Sequence, residues 1–421
     1  MSHPGRRARA GSPRDARRPT GNDRRSGTAG ALGGAVATLV FVDDGPWISF
    51  NQLAARARRS GCRVVRVTTD ASLASRIPGL LLYDRSVVVR PGAPLPALDE
   101  LAGAGEVLDV QCAEPVVDLA ETLGRLSAAV APAARSRLER RALLADKLDA
   151  ATLLAGAGVA VPAHVAGETV DLDVVISQLG LPVVVKPRVG AAGAGVVVAR
   201  DRESARRAVR ASAGPVLFEQ YVDGAQLTYC AAFLDGQVVQ EAAYARERDD
   251  PASLRLPDAL RTLDDARLCD LGRSVVGAIG GSGLLDCDVV RDASGEAFVV
   301  DVNLRAWHSL GALRDAGVDF VTGYLYVVGA TATAPTERRA AGGVQIRLSL
   351  RAGSEQASAG PLRASTWFAA AAWRRARAFG WRYLIAEILT HLAWPLRESD
   401  APPTAVDHAP SPTTGPRDDA R

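Results

Sequence analysis

From Ala35 to about Pro132 short apolar runs alternate with amphipathic stretches. "AVATLVFVDD" reads as a strand, "ISFNQLAARARRSG" as an amphipathic helix closed by Gly61, and "CRVVRVTTD" as a strand. "GLLLYD" with "SVVVRP", then "EVLDVQ", continue the series, and "AEPVVDLAETLGRLSAAV" carries a helical pattern. Strands alternating with helices predict a parallel sheet covered on both faces. The acidic "VDDG" after the first strand lies where such sheets place ligands. An exposed turn accounts equally well for Asp43 and Asp44.

From Ala134 to Pro162 the pattern turns helical through "RSRLERRALLADKLDAATLLAGAGVAVP". "DVVISQLGLPVVVKPRVGAAGAGVVVAR" predicts a helix and then a hairpin, and "DRESARRAVRASAG" a polar helix. "PVLFEQYVDGAQLTYCAAFLDGQVVQEAAYARER" predicts a strand, a turn and two or three antiparallel strands. A helix ("LDDARLCDLGRSVVGAIG") and a strand–turn–strand ("SGLLDCDVVRDASGEAFVVDVNLRAW") follow. Near the end, "GGVQIRLSL" reads as a strand. "STWFAAAAWRRARAFGWRYLIAEILTHLAWPL" reads as one or two Arg/Trp-rich amphipathic helices, packed on the body or on a second subunit in preference to a membrane surface.

The expected organisation is a tail over 1–32 and an α/β parallel-sheet domain over 33–133. An α+β domain over 134–335 divides near 215. An extension with amphipathic helices over 336–397 precedes a second tail over 398–421. Both tails have disordered composition.

The net charge of +3 hides an asymmetry. Residues 1–30 hold eight Arg and two Asp, so the remainder carries −3 and offers no nucleic-acid surface. The run after the Arg-rich tail lacks a small-residue cleavage site and reads as a strand, and no stretch is long enough for stable membrane insertion. The five cysteines are scattered, without metal-ligand spacing, and suit a reducing cytoplasm. Of 50 basic residues only Lys147 and Lys186 are lysines. A compact ammonium on a flexible stem suits a tight phosphate site that a guanidinium fork would overfill.

Lys186 precedes glycines at 190, 193 and 195, and "VVVAR" follows. A strand after the glycines excludes the strand–turn–helix of a dinucleotide site. What remains is a hairpin with a flexible tip, either a phosphate flap or an ordinary long loop. In "DCDVVRDASGEAFVVDVNLR", Asp288 and Asp301 fall near each other across a hairpin, and Asn303 shares a face with Asp301. Two carboxylates and an amide oxygen on one half-buried face make a hard-oxygen site suited to Mg²⁺ bridging phosphates; a polar exposed face is the plainer reading. "FEQYVDGAQL" can form a strand-to-strand linker with backbone groups free for adenine.

Together, helix-borne Lys147, "VVVKP", the glycine hairpin, "FEQYVDG" and "D…DVN.R" resemble the ATP-grasp superfamily over roughly residues 35–335. "DVNLRAWHSLGALRDAGVDF" most resembles its carboxylate–amine ligase-like group. The resemblance implies an ATP-grasp domain behind an N-terminal α/β domain, with ATP and Mg²⁺ (Mn²⁺ as an alternative) as cofactors. It implies Lys147 and Lys186 on phosphates, and Gly190, Ala191, Ala192, Gly193, Ala194 and Gly195 as a flap. Glu219 and Val222 then offer backbone groups to adenine, with Gln226 near ribose. Asp288, Asp301 and Asn303 hold the metal, and Arg305 faces the transferred phosphoryl group. Departures from the family pattern are Gln226 for Glu, Asp301 for Glu, Leu304 for Pro and His308 for Gly.

The implied reaction is ATP-dependent activation of a carboxylate as an acyl phosphate and its capture by an amine. No covalent nucleophile is needed, and His308 and the cysteines read as structural. Arg246, Arg248 and Arg255, in an expected 240–260 loop, are candidates for specificity. The partners implied are small-molecule acids and amines, and a homodimer is compatible. The rival reading is an ATP-binding regulatory or scaffold protein without turnover; a dinucleotide-dependent oxidoreductase lacks its GxGxxG turn.

Overall fold

The computed structural model describes residues 36–90, 96–97, 100–101, 103, 105–113, 123–124, 126, 129–166, 171–190, 193–247, 259–347 and 373–398. Most of "AEPVVDLAETLGRLSAAV", Ala191, Ala192, Arg248, Arg255 and residues 1–35 and 399–421 lie outside them.

β1 (Thr38–Asp43), β2 (Arg63–Thr68), β3 (Arg85–Val88) and β4 (Val107–Cys112) form a parallel sheet in the order β3-β2-β1-β4. β1 is buried along its whole length, as a central strand covered on both faces must be. Leu39 and Phe41 face one core while Val40 and Val42 face another. α1 (Ile48–Arg59) fills the first crossover and ends beside Gly61, whose φ of 86° is the left-handed turn that terminates helices. α2 (Leu73–Leu82) opens at Ser72, whose hydroxyl accepts from the Ser75 amide. "GLLL" is therefore the last turn of this helix, and only the segment after it is a strand.

The helical stretch after Ala134 is two helices, α3 (Pro132–Leu144) and α4 (Lys147–Gly156). Asp146 divides them: its carboxylate accepts from the Leu148 amide, so Lys147 becomes the first residue of a new helix. α3 turns Arg137 and Arg141 inward. Arg137 donates to Asp109 of β4 at 2.9 Å, and Arg141 to the Leu304 carbonyl at 2.6 Å.

A second sheet, order β5-β8-β6-β7, joins β5 (His164–Ala166), β6 (Val183–Pro187), β7 (Val197–Ala199) and β8 (Val216–Gln220), all antiparallel. α5 (Leu172–Leu179) and α6 (Arg202–Ala211) cover one face, where Val183, Val185, Val216 and Phe218 meet Val175 and Ala205. The period of two puts Lys186 and Glu219 on the other face.

The third sheet holds β9 (Gly224–Leu234), β10 (Gln237–Glu247), β11 (Ala259–Thr262), β12 (Gly283–Asp292), β13 (Ala297–Asn303) and β14 (Gln345–Arg347), in the order β13-β12-β9-β10-β11-β14. β10 runs to Glu247, so Arg246 stands on a strand and not in a loop. α7 (Ala266–Ile279) packs on one face against Tyr229, Phe233, Leu285 and Cys287. A Cβ on Gly272 of α7 would lie 2.2 Å from the Tyr229 ring, so this approach requires glycine. The opposite face carries Cys230, Ala232 and Leu284 into a core shared with Phe50, Leu53 and Tyr324, the last from α8 (Phe320–Val327).

Two final helices, α9 (residues 373–379) and α10 (Trp381–Glu398), lie against α1 and α2. Gln52 donates to the Tyr383 hydroxyl at 3.2 Å and Arg56 to the Ala378 carbonyl at 3.0 Å.

Candidate active site

Lys186 follows three valines, two of which point into the core. The alternation turns its ammonium out of that core, toward the sheet formed by β12 and β13. Lys186 lies opposite Leu217, one diagonal from Glu219, which long side chains span. Its Nζ is 2.6 Å from Glu219 Oε1 and donates to the Val300 carbonyl of β13 at 2.8 Å. Both side chains are buried.

Lys147 reaches the same strand. Its Nζ donates to the Gly190 carbonyl at 2.9 Å and lies 3.4 Å from Asp301 Oδ1. Three contacts fix its helix terminus: the Asp146 cap, the 2.6 Å Asp146–Arg188 ion pair, and the Lys147 amide donating to the Arg188 carbonyl at 2.9 Å. One acid thus ties the start of α4 to the exit of β6 and sets both lysines against β13.

The register of β12 and β13 places Asp288 opposite Asp301 and Asp286 opposite Asn303. Val302 and Leu304 face the α7 side, so Asp301 and Asn303 face the other way. Asn303 donates from Nδ2 to Asp301 Oδ2 at 3.3 Å and accepts at Oδ1 from Arg305 Nη2 at 3.1 Å. The Arg305 guanidinium stacks 5.0 Å from the Trp47 ring centroid, and its Nε has no hydrogen-bond partner among the described residues. Asp288 is bonded by Arg246, which also donates to Thr228 Oγ1 at 2.9 Å.

Burial acts to raise the Asp301 carboxyl, but Lys147, Lys186 and Arg305 outweigh it and hold the group below the usual carboxylate range. Burial raises Glu219 against the pull of Lys186. Burial, with Asp288 alongside, pushes Asp286 up to about 7. The face thus holds one firmly ionised acid beside two lysines and one acid close to neutrality. Burial lowers the His308 imidazole.

Lys147, Lys186, Gly190, Asp288, Asp301, Asn303 and Arg305 come together around β13. Gly193 and Gly195, with φ of 72° and 74°, turn the hairpin tip. Gln226 stands on β9 opposite Val290, and Val222 lies in the linker between β8 and β9. Glu219 corrects the sequence reading. It lies inside β8, its backbone in the ladder between His164 and Val184, so it is not part of the linker. Its carboxylate, not its backbone, faces the site. In the "VDDG" motif Asp43 departs from both sequence readings, while Asp44 stands exposed in a turn. Asp43 is buried and accepts from Arg66 at 2.8 Å through both oxygens, while Asp44 accepts from Trp47 Nε1 at 3.0 Å. Sequence reasoning missed the Arg246–Asp288 pair and Asp286. The two-residue period through "DCD" already places Asp286 on the face of Asp288.

Residues 144–252 match the RimK-like ATP-grasp domain family. A D-alanine–D-alanine ligase of Gloeobacter violaceus is 30% identical over 202 residues, which are 42% of this chain and 66% of that ligase. The chain thus spans just under two thirds of the length of that relative. Among solved structures, N5-carboxyaminoimidazole synthetase from Staphylococcus aureus complexed with ADP superposes with a TM-score of 0.58 at 16% identity, over 72% of this chain and 79% of that one. L-amino acid ligase from Bacillus licheniformis superposes with a TM-score of 0.52 at 19% identity, over 70% and 74%. The sheet order, the domain match over residues 144–252 and these likenesses agree, and the chain has an ATP-grasp fold.

Proposed function

We propose that this chain activates a small-molecule carboxylate as an acyl phosphate at the expense of ATP and joins it to an amine, releasing ADP and phosphate. One observation carries the reading: both lysines of the chain reach β13 beside Asp301, Asn303 and Arg305. A cluster of exchangeable cations facing carboxylates between two sheets suits a polyphosphate with its counter-ions. Phosphoryl transfer needs positioning and charge stabilisation more than it needs a nucleophile.

In this reading Lys147 and Lys186 turn to phosphate oxygens, and Glu219 keeps the Lys186 stem in place. Gly190, Gly193 and Gly195 let the hairpin fold over the phosphates and exclude water from the acyl phosphate. The linker at Val222 offers its backbone to the adenine edge, and Gln226 stands near the ribose. Arg305, buried with a free Nε, faces the transferred phosphoryl group. The substrate carboxylate attacks the γ-phosphorus, ADP leaves, and the amine then displaces phosphate from the acyl carbon.

Asp288, Asp301 and the Asn303 amide oxygen are hard donors on one face and fit Mg²⁺, or Mn²⁺ in its place. Among the described residues no group of three His, Cys, Asp or Glu forms a complete metal cage. An incomplete oxygen set suits Mg²⁺, which keeps water and phosphate ligands. When bound, the ion neutralises phosphate charge. No helix among the described residues is long and apolar enough to cross a membrane, and the five cysteines are free and buried, which supports a cytoplasmic setting.

The test is ADP release with pooled carboxylic acids and pooled amines. Release that requires one member of each pool is expected. Tight ATP binding with no release across all pools would instead favour a nucleotide-binding regulator.

A further inference from the structure

α9 and α10 bury only part of their circumference. Tyr383, Leu384, Ala386 and Thr390 face the body. On the outer side Trp381, Ile385, Ile388 and Leu389 recur at helical spacing, exposed by 59%, 47%, 50% and 41%. Trp373 of α9, 60% exposed, adjoins them, its ring centroid 5.8 Å from that of Trp381. An apolar stripe spanning two helices marks a docking surface and not a scatter of surface residues.

The rim names the partner. Arg374, Arg377 and Arg382 are exposed, and among the described residues none makes a salt bridge. Arg59 of α1 adjoins, donating to the Ala378 carbonyl at 3.2 Å. The only acid between 373 and 390, Glu387, is buried and bonded to Arg375 at 2.8 Å. The face is thus apolar at its centre and cationic at its edge. A second copy docking by a twofold axis would set these arginines against their own counterparts with no acid between them. An anionic bilayer supplies opposite charge at the rim and a headgroup boundary for the tryptophans.

We propose that the outer face of α9 and α10 is a reversible docking surface for anionic phospholipid bilayers. It lies in the interface plane, in accord with the absence of a spanning helix among the described residues. The inference is independent of the ligase reading.

The full chain is mixed with phosphatidylcholine vesicles with or without about 30% phosphatidylglycerol and sedimented, at low salt and at roughly 0.5 M salt, where charges are screened within a few ångströms. Binding to anionic vesicles with a blue shift of tryptophan emission is expected. In Trp373→Glu/Trp381→Glu, partition should fall by about tenfold or more as apolar burial is lost. Arg374→Glu/Arg377→Glu/Arg382→Glu should remove only the salt-sensitive part. Ile388→Ser serves as a milder variant, and an unchanged thermal midpoint confirms folding of each. Failure of the wild type to bind anionic vesicles overturns the proposal. So does equal binding of wild type and the double Trp variant, which assigns attraction to the Arg-rich residues 1–30. A dimer that Trp381→Glu dissociates, with no vesicle effect, gives the face to a second copy and overturns it equally.

Discussion

Two acid–base clusters lie at strand ends in this molecule, and they differ in what their charges are free to do. At the end of β1, Asp43 and Arg66 are both 0% exposed and pair at 2.8 Å. Arg66 also donates to the Gly45 carbonyl, the Ser75 carbonyl and the Ser75 hydroxyl, so its donors are committed inside the protein. At β13, the Lys147–Asp301 contact is 3.4 Å long with side chains 12% and 25% exposed. There a lysine with three donors and a carboxylate with spare lone pairs share one face of the β12–β13 hairpin with Arg305 and with the Asp288–Arg246 pair. The first cluster is closed and structural. The second is open enough to exchange partners, as the proposed phosphate site requires. Opposite charges in a sequence do not separate these cases; burial and saturation of donors do.

The sharpest way to break the comparison is to remove one cation from each cluster. Lys186→Ala should lower ADP release by on the order of 10²–10³-fold, the usual loss when one electrostatic stabiliser is deleted. Its thermal midpoint should fall as well, because Glu219 is left buried without its partner, so turnover is read on the folded fraction. Arg66→Met should cost stability alone. It strands Asp43 and should cost about 3–5 kcal/mol in urea unfolding, with turnover of the folded fraction intact. Unchanged turnover in Lys186→Ala, or unchanged stability in Arg66→Met, would erase the distinction.

The same contrast governs what was legible in the sequence. The lysines stood out because arginine fills every other basic position. The two-residue period put Asp288, Asp301 and Asn303 on one face before any coordinates, since a hairpin turn at "DASG" leaves one register in which they meet. Closure was not legible. "VDDG" reads alike whether its first Asp lies open or is clamped by Arg66, because that partner is set by the β1–β2 pairing and not by neighbours in the chain. Glu219 seemed part of a linker because "EQYVDG" ends in turn residues. The pairing with β5 and β6 extends the strand through Gln220. The break before Lys147 was missed because "LLADKLDA" keeps apolar spacing across a cap that one aspartate creates.

A pH titration sharpens the comparison on the closed side. Burial acts to raise Asp109, but Arg137 and Arg141 outweigh it and hold the carboxyl below its ordinary value. For an acid with a depressed folded pKa, the stabilisation is fully present above the ordinary carboxylate value of about 3.9 and is lost as pH falls through the folded value. Asp109→Asn should therefore lower the unfolding midpoint by a constant amount at neutral pH. The gap to wild type should narrow only in acid, below roughly pH 4. The amide oxygen keeps an acceptor for Arg137, and the amide nitrogen can donate to the Tyr324 hydroxyl in place of accepting from it, so the loss should be smaller than in Arg66→Met. A gap that stays constant down to the acid transition would show that the charge on Asp109 contributes nothing.

The smallest expected effect falls on the open side, in the hairpin beside Lys186. Gly195 has a φ of 74°, and a Cβ there would lie 2.8 Å from Pro187 Cγ. Left-handed backbone costs a residue with a Cβ roughly 1–2 kcal/mol, and the contact adds to it. Pro187 belongs to β6, whose other members are held in the second sheet, so the strand will not move and the hairpin tip must. Gly195→Ala should lower global stability by only about 1 kcal/mol, because the tip can re-form outside the ladder. Its larger effect should be a raised KM for ATP with a smaller change in kcat, since a displaced tip weakens phosphate binding without moving Lys186. The paired control is Gly158→Ala, whose φ of 78° carries the same backbone cost at the end of α4, with no atom within 4 Å of the added Cβ. It should match the stability loss and leave KM alone. Equal KM values in the two variants would show that the glycine hairpin is an ordinary loop.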